Sequence, residues 1–135
     1  KIISKNIKAC GNGKDFVGHI GGDDFVIITT PDKAEPIAKQ TLRDFDAMIP
    51  HRYLSSDIKN GFIVSRDRSG RMANIPLMSL SIAIVNNTLG SVSNLFELMD
   101  ITTELKKYLK DLRGSNFMVN RRVVDKGVKS RTDKK

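Results

Sequence analysis

His19-Ile20-Gly21-Gly22-Asp23-Asp24-Phe25-Val26-Ile27-Ile28 is the stretch on which the reading of the fold turns. Asp15 to Ile20 on one side and Phe25 to Thr29 on the other read as short β-runs. Gly21 to Asp24 separate them, and glycine's freedom to take positive φ makes a tight hairpin the natural connection. Phe25-Val26-Ile27-Ile28 is apolar at every position. A strand of that kind is covered on both faces, so helices are expected to pack on the sheet.

Outward from the hairpin, Ile2, Ile3 and Ile7 follow a helical spacing that stops near Gly11-Asn12-Gly13, which predicts the end of a helix. Asp32 followed by Glu35 predicts a capping box. The helix it opens carries Ala38, Leu42, Phe45 and Ile49 on one face, with Pro36 tolerated in its first turn and Pro50 past its end. Gly61 to Ser65 and Met72 to Ile75 flank Arg66-Asp67-Arg68-Ser69-Gly70 as a second, exposed hairpin. Leu77 to Val85 predicts another strong strand, entered at Pro76. Asn94 and Glu97 cap a long helix with Leu98, Ile101, Leu105, Tyr108 and Leu112 at nearly heptad spacing, ended by Gly114. Asn116 to Val119 predicts a short last strand.

With 135 residues, 39% of them hydrophobic, the chain is long enough for one core and too polar for a membrane protein. No run approaches the ~18 apolar residues of a membrane span. The formal net charge is +8, but residues 121–135 hold seven basic and two acidic side chains, so +5 lies in this tail and +3 in the body. Val123, Val124 and Val128 are nearly its only apolar residues, and a disordered tail or linker is expected over 123–135. A basic domain that binds nucleic acid through this tail has little support, because no aromatic-interleaved basic surface accompanies the charge. A lone cysteine, Cys10, forms no internal disulfide, and with two distant histidines, His19 and His51, it supports no zinc site. A reducing cytoplasm fits these features. The chain opens at Lys1-Ile2-Ile3 without an initiator methionine, and a piece of a longer protein is expected.

Asp23 and Asp24 are the pointed feature. Adjacent like charges repel, and a divalent cation would relieve them, since Mg²⁺ takes one or two carboxylates and fills its shell with water and phosphate oxygens. Gly21 and Gly22 would let a triphosphate approach the backbone with no Cβ in the way. The plainer alternative is a solvated hairpin turn, which these four residues alone favour. His19 reads as a strand histidine facing a neighbour.

Gly21-Gly22-Asp23-Asp24-Phe25 resembles the signature of the GGDEF domain, the diguanylate cyclase family of bacterial cyclic-di-GMP signalling, with one residue changed. Ser79-Leu80-Ser81-Ile82-Ala83 is similar to the family's Thr-Val-Ser-Ile-Gly strand. Glu104-Leu105-Lys106-Lys107-Tyr108 through Gly114-Ser115-Asn116 is similar to the closing helix and Gly-Arg-Asn turn. The likeness spans residues 1–122, as a domain lacking its first strand and helix. It implies an α/β (α+β) fold in which a mixed, mainly antiparallel sheet is flanked by helices, as in nucleotidyl cyclases.

By the same resemblance, two GTP-loaded domains meet as a homodimer and join two GTP into cyclic di-GMP, with Mg²⁺ stabilising the charge. Gly21 and Gly22 would lie against the nucleotide. Asp23 and Asp24 would be the metal-ligating catalytic carboxylates, Asp24 standing where the family has glutamate. GTP or cyclic di-GMP, and covalently linked sensor or receiver domains, are the implied partners. The departures point to impaired catalysis. Lys110-Asp111 stands where the family has Ala-Lys, so an acid replaces the phosphate-holding cation, and Ser115 replaces an arginine. Lys110 and Arg113 read as surface charges. The family's inhibitory Arg-x-x-Asp appears as Asn12-Gly13-Lys14-Asp15, without the guanidinium fork that grips phosphate or guanine. The alternative function is therefore an inactive GGDEF-like domain serving as nucleotide sensor or protein-interaction module.

Overall fold

The computed structural model describes residues 1–88 and 92–121. The tail expected over 123–135, and Arg122 before it, lie outside the described residues.

Strand β1 (Phe16–Gly21) and strand β2 (Asp24–Ile28) form the antiparallel hairpin, within a residue of the sequence reading. Helix α1 (Ile2–Cys10) precedes it and α2 (Pro31–Met48) follows. A 3-10 turn over Ile49–Arg52 and the short α3 (Ser55–Asn60) lead to a second antiparallel hairpin of β3 (Phe62–Arg66) and β4 (Met72–Pro76). Strand β5 (Ser81–Ile84), helix α4 (Leu95–Asp111) and strand β6 (Asn116–Val119) then make a β-α-β unit in which β5 and β6 run parallel. A parallel pair needs a crossover connection, and α4 supplies it.

The fold is mixed α+β. The expected mainly antiparallel sheet is, among the described residues, three separate two-stranded ladders, two antiparallel and one parallel. The expected helical cover over β2 is also missing: Phe25 is 54% and Ile28 63% exposed. The core lies elsewhere. Ile37, Ala38 and Leu42 of α2 are buried together with Ile7 of α1, Ile49, Ile84 of β5 and Leu109 of α4. Helix α2 packs on α1 and touches β5 and β6, and α4 packs on the same two strands. Buried Asn6 donates to Thr41 Oγ1 across the α1–α2 seam, which keeps that polar pair satisfied.

Four local readings are corrected. Helix α2 starts at Pro31 behind Thr30, so Asp32 is a first-turn residue and no side chain caps the helix; Pro36 lies inside it. Proline at the first helical position suffices as a start, because its missing N–H would be an orphan there anyway. The strand expected over Leu77 to Val85 shrinks to Ser81–Ile84 because side chains capture the preceding backbone: Tyr53 Oη accepts from Met78 N, and Ser115 Oγ from Leu80 N. On α4 the inward row runs Leu98, Ile101, Leu105, Leu109, with Leu109 buried and Tyr108 exposed, as a 3.6-residue period requires over a heptad. That helix ends at Asp111, ahead of Gly114. Its predicted N-cap holds: Asn94 Oδ1 accepts from Glu97 N at 3.0 Å, while Glu97 reaches back to Ser93 N.

Leu109→Ala, at a site 1% exposed, should cost about 2–5 kcal/mol of stability, and Asn94→Ala about 1 kcal/mol, in urea denaturation. Ile20→Ser, at an exposed hairpin position, should stay within about 0.5 kcal/mol.

Candidate functional site: the β1–β2 turn and helix α4

The hairpin turn is built on glycine chemistry. Gly21 pairs with Asp24, leaving Gly22 and Asp23 as a two-residue loop. Gly22 has φ +57°, and no non-glycine described residue has positive φ. Positive φ at the first loop residue alone is the pattern of a type II′ turn, which follows the twist of the flanking strands. A register irregularity between His19 and Gly21 accompanies it. His19 stacks on Phe25, with ring centroids 4.6 Å apart, and its Nε2–H donates to the Gly22 carbonyl at 2.9 Å. The histidine thus buttresses the turn, in line with the strand-histidine reading.

The two adjacent carboxylates part company. Asp23 is exposed in the turn. Asp24, half-buried, turns toward α4, where Lys106 Nζ lies 2.6 Å from its Oδ1. The hydrogen bond from Lys106, the ammonium's Coulomb attraction and a weaker attraction from Lys110 hold the Asp24 carboxyl below its usual range. Lys106 and Lys110 are one helical turn apart, so both face the hairpin. Lys110 and Arg113, the charges that stand out in the sequence, are not the ones that bond the turn; Lys106 is. The available signal was the i, i+4 spacing of Lys106 and Lys110, and its partner lies 82 residues away.

At the root of the hairpin, Asn12 and Asp15 serve the fold. Asp15 accepts from the Thr29 hydroxyl and from Asn12 N, while Asn12 Nδ2 donates to Thr30 Oγ1. The Thr29 hydrogen bond is the main reason that the Asp15 carboxyl sits below its ordinary range. A Cβ at Gly11 would collide with Asp15 Oδ2, so the chain needs glycine there for close approach. Ser115 is likewise structural: its hydroxyl donates to Asp46 of α2 and accepts from Leu80 N. Asp111 and Arg113 are exposed at the end of α4. Cys10 is half-buried at the end of α1, and His51 is exposed in the 3-10 turn.

The resemblance implies Mg²⁺ at Asp23 and Asp24. Asp23 is exposed, while Asp24 already has an ammonium at hydrogen-bonding distance, which a metal drawing on that carboxylate would have to displace. Among the described residues no group of three or more His, Cys, Asp or Glu side chains could hold a metal, so a metal here would rest on these two carboxylates alone. Among the described residues no helix is long and apolar enough to cross a membrane. Neither a protein-family model, a curated protein nor a solved structure matches the chain.

Asp24→Asn should lower the melting temperature at neutral pH, whereas Asp23→Asn should leave it unchanged. Asp15 and Asp24 have depressed carboxyl pKa values in the fold. Their contribution is therefore full above the unfolded carboxylate pKa and is lost as pH falls through the folded value. Melts from about pH 7 down to about pH 3 should show a drop below about pH 4 that is shallower in Asp24→Asn.

Proposed function

We propose that the chain is a GGDEF-type module of cyclic-di-GMP signalling that holds a guanine nucleotide at the β1–β2 turn without turning it over. The motif Gly21-Gly22-Asp23-Asp24-Phe25, set as a hairpin between helices, supports the family reading. The observation that carries the loss of turnover is the 2.6 Å ion pair from Lys106 to Asp24. Phosphodiester formation by this chemistry needs carboxylates free to gather metal ions around the reacting phosphate. An Asp24 neutralised by an ammonium does not offer that charge. Asp111, an acid where the family's helix presents a cation, and Ser115, tied to Asp46 and Leu80, add to the deficit.

What remains suits binding. Gly21 and Gly22 leave their two positions in the turn without Cβ atoms, and Lys110, beside the Lys106 that holds Asp24, is a cation for phosphate oxygens. A second reading, active diguanylate cyclase with two copies facing each other over two GTP, is favoured by Asp23, which is exposed and able to reach a ligand.

Calorimetry with GTP and with cyclic di-GMP, and chromatography of a GTP–Mg²⁺ incubation, separate these readings. Saturable GTP binding weakened by Gly22→Ala, with no cyclic di-GMP formed above a protein-free control, is the expected outcome. Product abolished by Asp23→Ala would establish the cyclase reading. Absence of binding by either nucleotide would defeat the nucleotide-holding role.

A further inference from the structure

The hairpin turn carries its own cation. We infer that Lys106 replaces a divalent metal at Asp24, so that the site meets an anionic ligand through lysine ammonium groups and works without metal. The inference deepens the nucleotide-binding reading and rests on it for the nature of the anion. The competition between Lys106 and a metal stands on the geometry alone.

Three observations converge. Lys106 Nζ sits 2.6 Å from Asp24 Oδ1, the place from which a metal would draw its first protein ligand. The lysine is not a freely swinging surface residue: its side chain is 30% exposed, and it projects from the middle of α4, a helix seated on β5 and β6. Lys110, one turn further along, adds positive potential at Asp24. A metal ion arriving there would have to break the ion pair, leave the ammonium without its partner, and sit beside two positive charges. Mg²⁺ also gives up its water shell reluctantly, and with Asp24 held by Lys106 it would find a single carboxylate, Asp23, in the turn. A phosphate group needs no such displacement of a cation. Its oxygens are drawn by Lys110, with Lys106 shared between the phosphate and Asp24, and Gly22 lets it approach the turn backbone.

Manganese titration of the protein alone, followed by the electron paramagnetic resonance of free Mn²⁺ with Mg²⁺ as competitor, tests this without nucleotide. The 135-residue chain should show no saturable Mn²⁺ site that depends on Asp24, and Asp24→Asn should leave its Mn²⁺ affinity unchanged. Lys106→Met removes a unit charge a few ångströms from the site and should raise Mn²⁺ affinity about tenfold over the weak, Asp24-independent binding of the parent. That gain should vanish in Lys106→Met/Asp24→Asn, and Lys106→Arg, which keeps the cation, should behave as the parent does. If the parent binds Mn²⁺ saturably and Asp24→Asn abolishes it, Asp24 is a metal ligand and the inference falls. It falls equally if Lys106→Met folds, by circular dichroism, yet binds Mn²⁺ no more tightly. Should that variant fail to fold, the parent and Asp24→Asn titrations decide alone. Failure of GTP to bind would defeat the nucleotide reading while leaving the metal result to stand.

Discussion

Everything on the C-terminal side of the molecule depends on where α4 can lie. Strands β5 and β6 run parallel, so the chain between them must cross over, and the crossing helix has to bury an apolar row on the strands it joins. Leu109, 1% exposed, is the deepest point of that seam. Once Leu109 points inward, Lys106, three residues earlier, is carried to an adjacent face of the helix and meets Asp24. One packing constraint thus sets both the core and the only ion pair, among the described residues, that links the β1–β2 hairpin to α4.

The pairing separates two residues that look alike in sequence. Asp23 and Asp24 are neighbours of identical chemistry, yet Asp23 faces solvent and Asp24 is spent on a helix 82 residues away. The same division runs through the polar residues around the hairpin. Asn12, Asp15, Thr29 and Thr30 satisfy one another, as does Ser115 between Asp46 and Leu80, and these groups hold elements together. The exposed remainder, Gly22, Asp23 and Lys110, is where a ligand can be met.

Much of the scaffold was legible because it follows from short-range rules. The hairpin announced itself through two glycines between apolar runs, the start of α4 through Asn94 and Glu97, and the inner face of α2 through Ala38, Leu42 and Ile49, all three buried. What stayed hidden is non-local. Leu77 to Leu80 have strand-like side chains, but Tyr53 and Ser115 reach in from distant segments and take backbone groups that a ladder would have used. Tyr108 and Leu109 are equally plausible inner residues until the helix is placed on its strands. Lys106 looked like one lysine among many, and its role exists only through contact with the turn. The apolar run of β2 implied cover on both faces, and the exposure of Phe25 and Ile28 shows that composition states what a strand can bury, while neighbours decide what it does bury.

The hairpin is closed on itself at its root by Asp15 to Thr29 and tied to another element at its tip by Asp24 to Lys106. Between them lies a ladder whose apolar side chains are mostly half-buried or exposed. Lifting it from the rest of the molecule uncovers little new surface, so its detachment costs far less than melting the core around Leu109. In the language of amide exchange it is expected to act as a separate opening unit, its hydrogens trading with solvent through local detachment while those of α2 wait for global unfolding. A ligand gripping both the turn and α4 would close that route, so binding would be recorded as slowed exchange along β1 and β2, several residues from the atoms it touches.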